Sequence, residues 1–364
     1  MRIVVDINHP AHVHFFKNFI WEMEEQGHQV VVTASQKDLA YTLLQKYGFT
    51  YIPLGCYGNS LFKKLMNLPL LDLKMYNVLK KMNPDILVGI GSIRAAHASL
   101  LLKKPCVSFE DTEHATEQIR LYLPFATSVC TPSCYRGDIG PKQIRYNGYH
   151  ELAYLHPNRF TPNPAVLAEL GLTEGDPFIV VRFVSWQASH DVGQHGIHDK
   201  VGLVKVLERY GRVLITSEGA LPEELQPYRI RVSPEKLHDL LYYATLYVGE
   251  GGTTASEAAV LGTPSIYVSS LVGTMGNFIE LEETYDLLYS FTDGNAALGR
   301  AIEILQDPAS KEQWRGKRER LLADKIDMTA FMVWFVENYP RSFTEMKEHP
   351  EVQYSCVSIP GDAL

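Results

Sequence analysis

Cysteine is scarce in this sequence, and the cysteines that are present form no recognisable pattern. There are five in 364 residues, at Cys56, Cys106, Cys130, Cys134 and Cys356. Their number is odd and no two of them have the two-residue spacing of a zinc knuckle, so neither a disulfide framework nor a zinc site is predicted. We therefore expect reduced thiols in a cytoplasmic protein.

The sequence also lacks long hydrophobic runs and an excess of positive charge. No stretch approaches the roughly 18 consecutive apolar residues of a membrane span. The first residues, MRIVVDI, are typical of a strand and not of a signal peptide. The net charge is -8, whereas a protein that neutralises phosphates along a nucleic acid needs a basic surface. Neither an export signal, a membrane span nor a nucleic-acid partner is predicted.

Short apolar strands alternate with amphipathic helices, which is typical of an α/β protein with parallel sheets. A segment rich in proline, asparagine and aromatic residues at 146–164 separates two such series. The predicted strands are residues 3–7, 29–34, 51–54, 86–90, 106–109 and 128–130, and then 178–184, 212–216, 246–249 and 265–268. We predict two Rossmann-like domains, at 1–155 and 165–325.

The end of the chain divides into an apolar and a polar part. The stretch DMTAFMVWFVENY lies within 326–340 and predicts a strongly apolar helix, which in a two-domain protein can cross back to the first domain. Residues 341–364 are polar and weakly patterned, and we expect them to form a mobile tail.

The segment LYVGEGGTTASEAAVLGTPSIYV, residues 246–268, carries the strongest chemical signal. A predicted strand leads into Gly251 and Gly252, a helix is predicted to begin at Thr253 or Thr254, and Gly262 ends it. Glycines at such a turn let backbone N–H groups approach a ligand closely, and the helix N-terminus favours negative charge. The turn therefore predicts a phosphate site.

Two further residues of the second half leave alternatives open. Glu257 ends the stretch TASE, which has the spacing of a capping box, so it either caps its own helix or binds a ligand. Arg182 lies late in a predicted strand, just before Ser185, where a guanidinium suits a diphosphate but where a surface ion pair would also be ordinary.

Histidines follow in the next loop, SHDVGQHGIHD. His190, His195 and His198 are separated by five and three residues, a spacing that fits no standard metal motif. Surface or capping roles are therefore favoured for them, although one could reach a ligand site.

The stretch EDTEH, residues 110–114, follows the predicted strand at 106–109. An acidic cluster at the end of a strand can supply a general base, because neighbouring charges raise the pKa of one member. Asp111 or Thr112 could instead cap the helix that follows. Glu110 is the candidate for chemistry.

The stretch NHPAHVH, residues 8–14, places three histidines after the first strand. Pro10 suits the first position of a helix that Asn8 or His9 caps. On that helix His12 lies at the edge of an apolar face and His14 points away to solvent, so one metal ion would struggle to gather both.

Residues 60–82, SLFKKLMNLPLLDLKMYNVLKKM, contain five lysines and one acid among many apolar residues. A basic amphipathic helix of this kind can contact an anionic membrane. The alternative interpretation is a helix of the protein core, with a buried apolar face and an outer face covered by lysines.

Several of these segments resemble known enzymes. GEGGTTASEAAVLGTPSI resembles the donor-site signature of GT-B glycosyltransferases and of the related non-hydrolysing UDP-N-acetylglucosamine 2-epimerases. HVHFFKNFIWEMEEQGHQV, GIGSIRAAHASLLLKKPCVSFED and YNGYHELAYL resemble first-domain segments of the peptidoglycan N-acetylglucosaminyltransferase that makes lipid II. The whole chain is similar to an uncharacterised domain-of-unknown-function family that is regarded as glycosyltransferase-like.

The resemblance implies a GT-B fold, with two domains facing across a cleft and a C-terminal helix crossing back to the first. It implies that Glu257 holds the ribose hydroxyls, and it matches His12 and Glu110 to a loop histidine and an acidic position of the relatives. Asn8 and His9 stand on the acceptor side where the lipid II enzyme has glycines. The lipid II enzyme has paired glutamines where this chain has residues 274–277, Thr274 to Asn277. The resemblance therefore does not identify the donor sugar.

The leading hypothesis is metal-free transfer of a sugar from a nucleotide-diphosphate sugar, UDP-linked, to a glycan or lipid-linked acceptor in polysaccharide biosynthesis. A helix N-terminus and Arg182 would stabilise the leaving diphosphate, so no cofactor is expected. The further candidates for binding the nucleotide sugar are Ser185, Thr253, Thr254 and Asn277. His12 or Glu110 would take the acceptor proton. The alternatives are a 2-epimerase-like reaction, a metal-dependent hydrolase using His9, His12 and His14, and a non-catalytic nucleotide-sugar-binding protein.

Overall fold

The computed structural model describes residues 1–37, 39–56, 58, 61–184, 196–217 and 219–355. The chain forms two compact units. The first joins Met1–Arg159 to the segment that begins at Lys325, and the second is the continuous stretch Phe160–Asp324. Each unit contains one parallel sheet, as the alternation of apolar strands and amphipathic helices predicts.

The sheet of the first unit has seven parallel strands in the order β3-β2-β1-β4-β5-β6-β7. They are β1 (Arg2–Ile7), β2 (Gln29–Ser35), β3 (Tyr51–Gly55), β4 (Ile86–Ile90), β5 (Cys106–Phe109), β6 (Ser128–Pro132) and β7 (Gln143–Tyr146). In β1 the consecutive residues Ile3, Val4 and Val5 are all 0% exposed, so both faces of the sheet are covered there. The strand order reverses between β1 and β4, where open α/β sheets bind ligands beyond the carboxyl ends of their strands.

Among the residues described, six helices accompany this sheet before the chain enters the second unit. They are α1 (Pro10–Glu25), α2 (Ala40–Lys46), α3 (Leu61–Met82), α4 (Ile93–Leu102), α5 (Thr116–Tyr122) and α6 (Leu152–Leu155). Helix α1 begins at Pro10, and the N-capping His9 accepts the N–H of Ala11 through Nδ1 at 3.2 Å, which confirms the predicted helix start. Its predicted apolar face is buried and consists of Val13, Phe16, Ile20 and Met23.

The second unit has five parallel strands in the order β12-β11-β10-β8-β9. They are β8 (Phe178–Phe183), β9 (Arg212–Ser217), β10 (Leu246–Gly249), β11 (Ser265–Val268) and β12 (Leu288–Phe291). The helices are α7 (Ala165–Glu169), α8 (Lys200–Leu207), α9 (Leu237–Tyr243), α10 (Gly252–Leu261), α11 (Gly276–Glu283), α12 (Gly294–Gln306) and α13 (Ser310–Asp324).

The chain then returns to the first unit through the predicted apolar helix, α14 (Met328–Glu337), which packs on α1 and α6. Asp327 caps it by accepting the N–H groups of Thr329 and Ala330, and the Thr329 hydroxyl donates to the carbonyl of Ala153 at 2.7 Å. The predicted crossing of the C-terminal helix to the first unit is confirmed.

The expectation of a mobile polar tail is wrong as far as residue 355. Helices α15 (Arg341–Glu348) and α16 (Val352–Ser355) follow α14. Ser342, Met346 and Gln353 are buried, and the Gln353 side chain accepts the N–H of Asn147 at 2.6 Å. A few buried contacts outweigh the polar composition of the segment. Residues 356–364 lie outside the described part of the chain.

The ten predicted strands are all present with ends shifted by at most two residues, but β7 and β12 were not predicted. Their sequences are QIRY and LYSF. β7 has the polar residues Gln143 and Arg145 among its four, so it forms no apolar run by which a strand is found. β12 has the same pattern as the predicted strand β5, CVSF, so its sequence does not explain why it was not predicted.

Candidate functional site

The glycine turn of the second unit lies against Arg182. Strands β8 and β10 are neighbours, with Arg182 opposite Gly249, so the end of β10 delivers Gly251 beside the arginine side chain. A Cβ placed on Gly251 would lie 3.2 Å from Nε of Arg182 and 3.3 Å from its Cδ. Arg182 and Gly251 were predicted separately to contact a phosphate, and the structure brings them together.

Helix α10 begins at Gly252, one residue before the predicted start at Thr253 or Thr254, and ends at the left-handed Gly262 as predicted. Its N-cap is Gly251, which offers no side chain to the first-turn N–H groups. These groups and the positive end of the helix dipole lie beside the Arg182 guanidinium, and together they suit an anion such as a diphosphate.

Glu257 does not cap this helix. The cap is at Gly251, six residues earlier, so the capping-box alternative is wrong. Glu257 lies on the second turn with 4% of its surface exposed, and its Oε1 accepts a hydrogen bond at 2.9 Å from Nε2 of His238 in α9. No local pattern indicates His238, because its partner is 19 positions away in another helix.

Glu250 is a second residue that the sequence reasoning missed. It is 3% exposed and accepts the N–H groups of Val184 at 3.0 Å and Ile197 at 2.9 Å, with Lys200 at 3.4 Å. It thereby fixes the end of β8 to the start of the segment that enters α8. Its place directly after a strand, inside the quoted motif GEGG, could have drawn attention to it.

Residues 185–195 lie outside the described residues, and with them Ser185, His190 and His195. His198 is exposed.

Asn277 is buried on the first turn of α11, where its Oδ1 accepts the N–H of Phe278 at 3.0 Å. The Phe278 ring reaches the glycine turn, since a Cβ on Gly252 would lie 3.4 Å from its Cζ. The start of α11 is therefore adjacent to the start of α10.

In the first unit, Asn8 and His12 lie together at the carboxyl end of β1. The N–H of Asn8 donates to Nδ1 of His12 at 3.3 Å. The side chain of Asn8 donates to Asp6 at 3.0 Å and accepts from the hydroxyl of Ser35 at 3.0 Å. These contacts fix the loop between β1 and α1.

The predicted solvent exposure of His14 is wrong. Its side chain is buried, with Tyr47 hydrogen-bonded to Nδ1 at 3.1 Å and the ring of Tyr154 at 5.5 Å. Aromatic neighbours from other elements cover the helix face that the sequence pattern assigned to solvent. His14 is therefore part of the packed interior, and His9 caps α1 through Nδ1.

His12 remains neutral near physiological pH. Burial, followed by the nearby positive charges of His150 and Lys37, lowers the pKa of His12 to about 3. The ring can orient a substrate hydroxyl but has little capacity to hold a proton.

Glu110 has the opposite shift. Burial and the neighbouring Asp111 raise the pKa of its carboxyl to about 7. Oε1 accepts the N–H of Thr112 at 3.0 Å and Oε2 accepts the hydroxyl of Tyr122 at 3.0 Å. The predicted capping by Asp111 or Thr112 is wrong, since α5 begins at Thr116 without a side-chain cap.

Asp111 instead pairs with His150, a residue that the sequence reasoning also missed. Their Oδ2 and Nδ1 atoms are 3.0 Å apart. Burial opposes both charges, yet the pair raises the pKa of His150 and lowers that of Asp111. Within the described part of the chain, the buried Nε2 of His150 has no hydrogen-bond partner. Four titratable groups, Glu110, Asp111, His12 and His150, therefore converge at one edge of the sheet.

Helix α3 has one buried apolar face and, on another face, exposed apolar side chains. Leu71, Met75 and Leu79 are buried, whereas Met66, Leu70 and Leu73 are 62%, 60% and 56% exposed. Lys80 and Lys81 near its end are exposed. The side chains of residues 61–65 lie outside what the structure describes.

The described residues contain no group of three or more His, Cys, Asp or Glu side chains arranged to hold a metal ion. The three N-terminal histidines have the separate contacts described above. No described helix is both long and apolar enough to cross a membrane.

The comparison with protein families decides where the chain belongs. Residues 1–339 match the family model described as "Protein of unknown function (DUF354)". The chain is a member of that family. An uncharacterised protein from Methanocaldococcus jannaschii is 24% identical over 331 residues, covering 85% of this chain and 95% of the relative.

The solved structures that share this fold include 2-epimerases and glycosyltransferases. A protein from Listeria monocytogenes assigned as a UDP-N-acetylglucosamine 2-epimerase has a TM-score of 0.68 at 12% identity, covering 93% of this chain and 96% of its own. A glycosyltransferase of Streptomyces sp. SF2575 has a TM-score of 0.57 at 14% identity, covering 93% and 100%. The fold is GT-B-like, and the resemblance drawn from the sequence motifs is confirmed.

Proposed function

We propose that the protein is a GT-B-type glycosyltransferase that moves a sugar from a nucleotide-diphosphate sugar, UDP-linked, to a glycan or lipid-linked acceptor without a metal ion. The observation that carries the proposal is the Arg182 side chain lying over Gly251 at the positive end of α10. A guanidinium beside a helix N-terminus stabilises a leaving diphosphate electrostatically, which is the task that a metal ion performs in other enzymes. Glu257 holds the ribose, and Asn277 lies near the sugar.

The first unit carries the groups for the acceptor. The acceptor oxygen forms a bond to the anomeric carbon while the bond from that carbon to the diphosphate oxygen breaks, and the diphosphate leaves with the electron pair. Glu110, whose pKa of about 7 matches a general base, takes the hydroxyl proton. Neutral His12, with Asn8 and His9 beside it, orients the acceptor.

Binding tests the donor half of the proposal. A thermal-shift panel of nucleotide-diphosphate sugars in the presence of a chelator should stabilise the protein with a UDP-sugar. Arg182→Met should abolish the shift, whereas Arg209→Met, which removes an exposed arginine of the same unit, should keep it. A panel in which no nucleotide sugar raises the melting temperature would contradict the proposal.

Turnover tests the acceptor half. With the acceptor identified, Glu110→Gln should lower kcat by about 10²- to 10⁴-fold, the usual contribution of a general base, and leave the Kd of the donor unchanged. His12→Ala should abolish transfer while sparing donor binding. Near-normal turnover of the His12 variant would contradict the role of His12 in orienting the acceptor.

A 2-epimerase-like reaction on the same donor is the second candidate. It is supported by Glu110 beside the Asp111–His150 pair, because these groups could do acid–base work on the sugar of the donor itself. NMR of UDP-N-acetylglucosamine incubated with the protein alone separates the two. An epimer, or UDP released without an acceptor, counts for this candidate and against transfer.

The membrane contact belongs to the same proposal, because a lipid-linked acceptor is held at a membrane surface. The exposed Leu70 and Leu73, on a helix that ends in exposed lysines, suit an anionic bilayer. The protein should float with phosphatidylglycerol vesicles and not with phosphatidylcholine vesicles. Replacing Leu70 and Leu73 by serine should end flotation, and the control Leu39→Ser, at a residue 49% exposed in the same unit, should not.

A further inference from the structure

The pair formed by Glu257 and His238 is nearly sealed from solvent. Glu257 is 4% exposed and His238 is 2% exposed, and Nε2 of the histidine donates to Oε1 of the carboxylate at 2.9 Å. The ring of Phe160 meets the imidazole edge to face at 6.4 Å. The histidine therefore holds the carboxylate at a defined distance within a packed environment.

Contacts other than this pair also join α9 to α10. The hydroxyl of Thr263, just beyond α10, donates to the carbonyl of Leu241 in α9 at 2.7 Å, and Leu240 and Leu241 are 0% exposed. Apolar packing and this hydrogen bond already join the helices. A buried polar pair is weak evidence for stability, because apolar residues of similar volume often serve as well. A role toward a ligand accounts for its presence better.

The place of Glu257 in the helix makes its orientation matter. It lies on the second turn of α10, beyond the N-terminus to which we assign the diphosphate. A ribose that precedes the diphosphate in the ligand must meet the carboxylate in one orientation, since so little of the side chain is exposed. Any rotation of the carboxyl group would withdraw the acceptor atoms from the ribose hydroxyls.

We propose that His238 is a positioning residue that orients the Glu257 carboxylate toward the ribose hydroxyls and so makes the donor site selective for ribonucleotides over 2′-deoxyribonucleotides. The inference rests on the proposed function, in which Glu257 contacts the ribose. Sites built to hydrogen-bond a hydroxyl discriminate strongly against ligands that lack it, because their own buried polar groups are then left unpaired.

The test compares UDP with 2′-deoxy-UDP by isothermal titration calorimetry on the full chain. Wild type should bind UDP about tenfold or more tightly than the deoxy ligand, as expected for a hydrogen bond to a charged group. The ratio of interest is the Kd for 2′-deoxy-UDP divided by the Kd for UDP. His238→Leu should weaken UDP binding until this ratio approaches one, with the Kd for 2′-deoxy-UDP unchanged. His238→Gln, whose amide nitrogen can donate from nearly the position of Nε2, should keep most of the ratio.

Thr263→Val is the matched control, because it breaks a contact between the same two helices without touching the pair. It should shift both affinities together and leave their ratio intact. If His238→Leu does not fold, the comparison of His238→Gln with His238→Asn replaces it, since the shorter asparagine cannot reach Glu257 and should lose the ratio.

The outcomes separate the two proposals. Equal losses for both ligands in the His238 variants, an unchanged ratio, or a wild-type ratio of one would each overturn the role of His238 while leaving nucleotide binding in place. Failure of the wild type to bind UDP or any UDP-sugar would instead overturn the proposed function.

Discussion

At the scale of single residues, the chemistry of this protein depends on partners that lie far apart in the sequence. Asp111 pairs with His150, His238 with Glu257, and Glu250 with the N–H groups of two distant residues. Glu110 and Glu257 could be selected from the sequence because each follows a strand or a glycine turn. The histidines that complete their sites could not, since only the fold brings them close.

The raised pKa of Glu110 predicts a dependence of stability on pH. The shift from 4.5 to about 7 means that the unfolded chain loses this proton at lower pH than the folded chain, so stability falls as the pH rises through that interval. Glu110→Gln, which cannot ionise, should gain about 3 kcal/mol relative to wild type between pH 4 and pH 8.

Urea denaturation at pH 4, 6 and 8 measures this difference. The matched control is Glu24→Gln, which removes an exposed carboxylate of the same unit. A stability difference between Glu110→Gln and wild type that stays constant with pH would contradict the raised pKa.

At the scale of secondary-structure elements, a buried network joins β1, β2 and α4. Asp6 and Arg94 are both 0% exposed and form an ion pair at 2.7 Å, to which Thr33 and Ser35 add hydrogen bonds. Ser35 in turn donates to Asn8, so the network supports the loop before α1, whose Asn8 donates its N–H to His12. The strand pattern alone gave no sign of it, because Asp6 and Arg94 belong to different elements.

Breaking this network at one side should cost much more than replacing both charges. Arg94→Met leaves the Asp6 carboxylate buried without its charged partner and should lower the free energy of unfolding by about 3–5 kcal/mol. Combining it with Asp6→Leu should restore part of the loss. Chemical denaturation gives both values, and a double variant less stable than the single one would contradict the argument.

The glycine turn at the start of α10 predicts a change in binding without a change in stability. Gly251 has φ -87° and ψ 113°, a conformation open to alanine, but the new Cβ would displace the Arg182 guanidinium. Gly251→Ala should weaken UDP binding by about tenfold, the value of a lost charge-assisted hydrogen bond.

Gly316→Ala is the control for this turn. A Cβ at that position in α13 meets nothing within 4 Å, so the variant should gain about 0.5–1 kcal/mol and bind UDP normally. Calorimetry and thermal melts distinguish the two variants. Unchanged UDP affinity in Gly251→Ala would contradict the proposed contact between Arg182 and the phosphates.

The elements themselves were largely predictable, and the reason is their burial. Strand β10 and residues 3–5 of β1 are apolar runs, because both faces are covered there. The start of α1 was visible in Pro10 and its cap. The errors fall where local pattern and tertiary contact disagree. His14 and the helices after residue 340 are examples, since neighbours distant in sequence bury residues that look suited to solvent.

At the scale of the whole molecule, the two units differ in how the chain builds them. The second is one continuous stretch, Phe160–Asp324, and the first needs two separate stretches. Helix α14 packs on α1 and α6, and its Phe331 and Phe335 are both 0% exposed. A fragment of residues 160–324 should therefore fold by itself and bind UDP, whereas residues 1–159 should not reach a native fold.

Circular dichroism and thermal melts of the two fragments test this expectation. Adding residues 325–355 to the first fragment through a flexible linker should restore a cooperative transition. A cooperative melt of residues 1–159 alone would show that α14 is dispensable.

The return of α14 to the first unit also sets an order of assembly during synthesis. A ribosome releases Met1–Arg159 first, then all of Phe160–Asp324, and only afterwards the helix that closes the first sheet's helical layer. Because domains fold as units while the chain emerges, the second unit can reach its native state before the first. The nascent first unit meanwhile exposes the side of α1 that α14 covers in the folded protein. Transiently exposed surface of this kind is where aggregation starts in a growing chain.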